Sequence, residues 1–370
     1  MTEQLTEGSN AIGMHVGDGW YLCPQSLPNM KKMDYAHAIL FQLEITYPDD
    51  SMDMIISDED VKCSNGPVLS ADLYAGEYYD ANKQIKNWNC ADFMDSGWTS
   101  CMEANYGYEN LVSQIGEPVV IVKELPVSRL TKSPKGEWIL DFGQNIAGFV
   151  RMKVNAPKGT QITLEHCEIL DKQGNFFNNI QGAGGVGKGV DQKDVYVCDG
   201  TSATYEPHFT YHGFRYVCVT GIEPKAEDFT ACVVSTEKEN LGTFKTSDER
   251  LNRFYENIRW SQCANMLSVP TDCPQREKAG WTGDMLVYSR TALLNEDCTA
   301  FFTRWLYNME CDQDEYGIIP MVVPQDGNYP SMGKLMSMMY GVKGSGTSSG
   351  WGDAAVVVPV SYTHLTLPTK

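Results

Sequence analysis

The run SVPTDCPQREKAGWTGD, Ser268–Asp284, gathers Asp272, Arg276, Glu277, Trp281 and Asp284 into one short length of chain. Pro270 and Pro274 lack an amide donor and steer the residue before each away from helical dihedrals, so the run is predicted to be a loop between two helices. A loop on a rigid helical frame can aim several polar groups at one point, which a single helix face cannot. Gly280 and Gly283 keep backbone bulk low around Trp281, whose indole suits the carbon face of a sugar ring or a packed core. Asp272 and Asp284 are placed to hold hydroxyls. Glu277, beside that indole and near two other acids, is the candidate general acid, since desolvation and like charge keep a carboxyl protonated. Arg276 pulls the other way and could lock an aspartate in place. The same acids would equally suit a solvated structural loop.

Upstream of the run, Thr246 with Glu249 three residues on reads as a capping box, and Leu251, Phe254, Tyr255 and Ile258 fall on one face of the helix that follows. Downstream, Leu286, Leu293 and Leu294 mark a second helix, and Phe301, Phe302, Trp305 and Leu306 a third. The short turn Asn295–Asp297 makes these two antiparallel. Beyond them 316–350 is rich in Gly, Pro, Ser and Met, a loop length that in compact domains is functional or disordered. Before about residue 239 the pattern is that of strands. In 117–238 the candidates are PVVIVKEL, EWILDFG, GFVRMKVNA, TQITLEHCEIL, DVYVCDG, FRYVCVTGI and DFTACVVST, at sandwich spacing. Asn145, His212 and Arg215 among them read as a hydrogen-bonded corner. Residues 1–116 also read as all-β, with AIGMHVG, AILFQLEITY and DMIISD as strands and Tyr78, Tyr79, Trp88 and Trp98 as core. GAGGVGKG, 182–189, imitates a phosphate loop. Gly189 stands where Ser or Thr is needed, and a strand follows instead of a helix, so nucleotide binding is not expected.

A net charge of −19 and a pI near 4.7 over 370 residues make nucleic acid a poor partner, whereas a neutral sugar meets no charge penalty. No apolar run approaches the roughly 18 residues of a membrane helix. Twelve cysteines without a CxxC pair fit reduced thiols in a cytoplasmic-type protein. Of the six histidines only His208 and His212 approach ligand spacing, and on a strand they read as packing and polar contacts; no metal or cofactor is expected.

Six stretches taken in order, GDGWY (Gly17–Tyr21), GEYYDA (Gly76–Ala81), LDFGQNIAGFVRMKV (Leu140–Val154), YEPHFTYHGFRYV (Tyr205–Val217), DCPQREKAGWTGD and GWGDAAVVVPV (Gly350–Val360), resemble landmarks of the bacterial alpha-L-rhamnosidases of glycoside hydrolase family 78. That family cleaves terminal alpha-L-rhamnose with inversion. The resemblance implies a multidomain chain of two all-β sandwich domains of jelly-roll type, 1–116 (galactose-binding-like) and 117–238, followed by the first part of an all-α (α/α)6 barrel, 239–360. It implies Glu277 as general acid and Asp272 and Asp284 as substrate-binding acids, with Arg276 and Trp281 beside them. From the last landmark it implies Trp351 as a sugar-contacting wall and Asp353 as a hydroxyl ligand or helix N-cap. The implied partner is a rhamnose-containing glycoside or polysaccharide.

The resemblance also implies truncation. MTEQLTEGSNAIG lacks the layout of a signal peptide, but Met1 resembles an internal start, so an export signal could lie upstream. Residues 361–370 resemble a non-native tail. The family's general base comes from a later glutamate, so this chain alone is expected to be inactive or nearly so. Two other readings stay open. One is a carbohydrate-binding protein without chemistry, whose glycan binding would survive loss of residues from Asn240 onward. The other is a related inverting hydrolase or a lyase on the same barrel, the lyase leaving a new double bond in its product.

Overall fold

The computed structural model describes residues 2–19, 22, 36–109, 111–178, 180, 190–314, 317–325 and 349–366. The phosphate-loop mimic at 182–189 and most of the 316–350 loop lie outside them. In the first region β1 (Gln42–Thr46) and β2 (Met52–Ile56) form a hairpin, and β3 (Lys62–Cys63) pairs with β6 (Thr99–Ser100). AIGMHVG forms no strand; its residues are largely exposed. The remaining two strands here, β4 (Val68–Asp72) and β5 (Gly76–Asp80), belong to a larger sheet.

That sheet is built on β9 (Trp138–Val154), around which lie β7 (Val119–Pro126), β8 (Arg129–Lys132), β10 (Gln161–Cys167), β11 (Lys193–Val197), β12 (Ala203–Tyr205), β13 (His212–Thr220) and β14 (Phe229–Thr236). The two strands expected from EWILDFG and GFVRMKVNA are one. Gly143, in the left-handed region at φ 77°, lets the chain bulge at the junction while both halves keep pairing with β13. The order is β4-β5-β11-β10-β13-β9-β14-β7, with β8 and β12 also on β9. All contacts along this path are antiparallel except β5 with β11, which is parallel and joins the two expected sandwiches into a single hydrogen-bonded sheet. Leu140, Ile146, Val150, Met152, Phe214 and Val217 are sealed in its core, where alternate residues of each strand meet.

The expected core aromatics divide. Tyr79 is buried, stacked on Tyr196 at 5.5 Å, while Tyr78, Trp88 and Trp98 are half-buried. Of the three residues expected in a hydrogen-bonded corner, Arg215, half-buried, forks onto Asp141 (2.8 and 3.0 Å), and Asn145, exposed, donates to Glu168 (3.0 Å).

From residue 239 the chain turns helical. Helix α1 (Glu249–Asn265) begins one residue after Asp248, whose carboxylate accepts from the Arg250 amide; Thr246 is therefore not the cap, its hydroxyl accepting instead from the Asp248 amide. The expected apolar face is also displaced. Leu251 and Phe254 are 49% and 62% exposed, and it is Trp260 and Cys263 that pack on the sheet, because α1 lies across β9 and β14 by its second half. A short hairpin, β15 (Met266–Leu267) and β16 (Val269–Pro270), leads into the loop. Helices α2 (Thr282–Asn295) and α3 (Thr299–Cys311) follow with the predicted short turn, Phe301, Phe302 and Trp305 in their core. After α4 (Ser349–Gly352), α5 (Ala354–Thr366) packs on α2 and α3. It runs through Pro359 and past the expected boundary at Ser361, with the Tyr362 hydroxyl 3.0 Å from that of Thr303. No helix among the described residues is long and apolar enough to cross a membrane.

Candidate active site

Between β16 and α2 the chain is held on both sides. On the β side the Gln275 amide donates to Glu168 (2.5 Å), and the Pro274 ring with the Gln275 nitrogen and Cβ lies on Gly213, where a Cβ would come within 2.9 Å of them. On the helical side Val323 donates to the Gly280 carbonyl (2.8 Å), and a Cβ at 280 would meet the Val323 oxygen at 1.9 Å. Gly280 is thus required by a neighbouring backbone, a demand additional to leaving room for Trp281.

This frame brings Asp272 and Asp284 each within electrostatic reach of Glu277. Glu277 is half-buried, its side chain 26% exposed; one carboxylate oxygen accepts from Arg276 (2.6 Å) and the other from the Trp281 indole N–H (2.8 Å). Arg276 therefore pairs with the glutamate and not with an aspartate. Asp272 accepts from the Cys273 thiol (2.9 Å) and the Ala279 amide (3.2 Å). Burial, with the Glu277 charge adding to it, pushes Asp272 up to about 6. Burial and then Asp272 push the Cys273 thiol up to about 12, so it serves as a donor and not as a nucleophile. Asp284, in the first turn of α2 and not in the loop as predicted, is exposed yet also raised, by desolvation and then by Glu277.

Trp351 comes to the same end of α2. Its indole covers Gly283, where a Cβ would stand 2.7 Å from the ring nitrogen, so this glycine makes room for a tryptophan from α4. Asp353 is exposed immediately before α5, and its carbonyl accepts from Val356 and Val357, as an N-cap residue's does. Three neighbours of Glu277 were not singled out from the sequence: Cys273, Lys278 and Tyr74, whose hydroxyl donates to the Glu277 carbonyl (3.0 Å) from far upstream. An open groove elsewhere, lined by His15, Tyr79, Trp88 and His208 among others, includes none of the loop residues.

His208 and His212 do not converge. His208 meets Glu77 (3.1 Å), whereas His212 joins His166 and Asp194 from the adjacent strands β10 and β11, ligand-type atoms within 4.8 Å of one another. No spacing rule could find this trio, which strand pairing assembles. His166 donates through Nδ1 to the Gln192 carbonyl (2.9 Å), and its Nε2 is unpartnered 3.9 Å from Asp194. Nε2 of His212 is 3.0 Å from both Asp194 oxygens and its Nδ1 has no acceptor, which a ligating imidazole needs for its other N–H. Burial holds His166 down at about 3 and His212 well below the imidazole range, and the Lys278 ammonium adds to both effects. A divalent ion would enter beside that cation. The trio is a buried polar cluster with neutral rings rather than a metal centre.

Three family matches follow the chain in order. The alpha-L-rhamnosidase N-terminal domain matches residues 1–123, the bacterial alpha-L-rhamnosidase concanavalin-like domain 131–235, and the bacterial alpha-L-rhamnosidase 6 hairpin glycosidase domain 239–365. The chain belongs to the bacterial alpha-L-rhamnosidases. An alpha-L-rhamnosidase of Streptomyces avermitilis is 36% identical over 365 residues, 97% of this chain and 33% of that protein. One from Formosa agariphila is 31% identical over 372 residues, 97% of this chain and 38% of that protein. The chain spans about a third of the length of these alpha-L-rhamnosidases. The crystal structure of the Streptomyces avermitilis alpha-L-rhamnosidase complexed with L-rhamnose gives a TM-score of 0.77 at 36% identity, over 87% of this chain and 30% of that one. Native alpha-L-rhamnosidase from Aspergillus terreus gives 0.78 at 34%, over 87% and 36%.

Proposed function

We propose that this chain carries the acid half of an alpha-L-rhamnoside hydrolysis that proceeds with inversion. The observation that carries the reading is Glu277, a half-buried carboxyl fixed by an indole N–H, with Asp272 and Asp284 raised beside it by desolvation and by the Glu277 charge. Glu277 gives its proton to the departing glycosidic oxygen as the sugar takes on oxocarbenium character, while a second carboxylate activates water on the opposite face. No residue among these 370 is matched to that second carboxylate. Asp272 and Asp284 hold sugar hydroxyls, Arg276 orients the acid, and Trp281 and Trp351 supply the apolar walls against which the ring stacks. The helical region is the beginning of an (α/α)6 barrel with the site at its mouth. The substrate is a rhamnose-containing glycoside or polysaccharide, and twelve cysteines without a CxxC pair support a cytoplasmic-type setting for it.

The test is the dependence on leaving group. In a natural chain long enough to supply the base, Glu277→Gln is expected to lower kcat by about 10²–10⁴-fold on rhamnosides with poor leaving groups. On activated aryl rhamnosides, whose phenolate departs without a proton, the loss should be far smaller. Near-normal turnover of both substrates would sink the assignment. The 370-residue chain itself is expected to bind L-rhamnose and to release none from an aryl rhamnoside; measurable release would refute the missing-base reading.

A further inference from the structure

Lys278 follows the candidate acid directly, yet it is 1% exposed and its side chain runs into the β-sheet, to Leu73 and Tyr211. That direction comes from its own backbone, which at φ 49° lies in the left-handed region that a residue with a Cβ seldom adopts. Buried in the sheet, the ammonium donates to the carbonyls of Leu73 and of Tyr211 (2.5 Å). It also lies over the Tyr211 ring (4.2 Å) and more loosely over that of Tyr74 (5.7 Å). Asp194, equally buried, feels it as a favourable charge. An ammonium with this many fixed partners in a dry interior cannot swing out without leaving each of them unsatisfied.

The same sheet edge also holds Glu277. Tyr74 donates its hydroxyl to the Glu277 carbonyl (3.0 Å), and its turn is closed by Asp72, which accepts from the Tyr74 and Ala75 amides (2.6 and 2.9 Å). The Gln192 and Lys193 amides then tie that turn to the strand bearing Asp194. We propose that Lys278 and Tyr74 are positioning residues that clamp the acid-bearing loop to the β-sheet, fixing where the Glu277 carboxyl meets the Trp281 indole. The proposal rests on the reading of Glu277 as the acid, but its test needs no turnover, so the two fail separately.

The probe is the indole ¹H–¹⁵N resonance of Trp281 in the 370-residue chain, assigned by its loss in Trp281→Phe and located relative to its acceptor by its shift in Glu277→Gln. Lys278→Met is expected to move or split this resonance while the other indole peaks stay in place, and Lys278→Arg, which restores the charge, to return it toward the parent position. If Lys278→Met does not fold, Tyr74→Phe decides: it keeps the ring, removes only the hydroxyl, and is expected to move the same peak. A Trp281 resonance unmoved in a folded Lys278→Met, or unmoved in Tyr74→Phe where the lysine variant is unfolded, overturns the clamp. So does a shift spread over all the indoles with no recovery in Lys278→Arg, the signature of a merely structural role.

Discussion

Asp272 is the carboxyl whose environment departs furthest from water among those of the loop, raised from an ordinary 3.8 to about 6 chiefly by burial. A folded-state value above the unfolded one means that the native state binds the extra proton, so stability is greatest below about pH 4 for this group and is lost as pH rises to about 6. The loss is on the order of 2–3 kcal/mol by that shift. Asp272→Asn keeps an acceptor for the Ala279 amide and removes the titration. Thermal melts of the variant should lose the slope over pH 4–6 that the parent shows; an unchanged slope would place the raised group elsewhere. At this scale the sequence was informative where chemistry is local. Asp272, Glu277, Trp281 and Asp284 stand in one string and stay together in space. Lys278 was not legible, because the carbonyls it binds lie 205 and 67 positions upstream and only the folded sheet brings them near.

Elements were legible by period and misjudged by their surroundings. The apolar stripe of α1 was visible, but which part of the helix would be covered depended on where β9 and β14 cross it, and its first turns are exposed. Two apolar runs read as two strands because a glycine between them is a normal stop signal, whereas Gly143 takes a bulge and the strand continues. Glycines also carry the sharpest element-level prediction. Gly280→Ala drives a methyl into the Val323 carbonyl at 1.9 Å and should destabilise by about 1–3 kcal/mol, since backbone cannot step aside as a flexible side chain can. Gly66→Ala, with nothing within 4 Å, is the control. Denaturant midpoints of the two variants compare them, and equal midpoints would contradict the close approach.

For the whole molecule the succession of strands and then helices was plain from the change of pattern near Asn240, but the strand order was not. Parallel pairing of Tyr78–Asp80 with Val195–Val197 leaves no local mark in either segment. It predicts that the first region depends on the second. Residues 1–116 expressed alone should lose one of the two neighbours of β5, keeping only β4, and hydrogen-exchange mass spectrometry should find the 76–80 segment less protected there than in the 370-residue chain. Equal protection would show a region that folds by itself. The pairing has a further consequence for the order of events on the ribosome. The strand at 78 leaves the exit tunnel over a hundred residues before its partner at 195, an interval on the order of ten seconds at roughly 5–20 residues per second. Throughout it the nascent chain presents Tyr79 and an open hydrogen-bonding edge to the cell, and a chaperone has that long to find them.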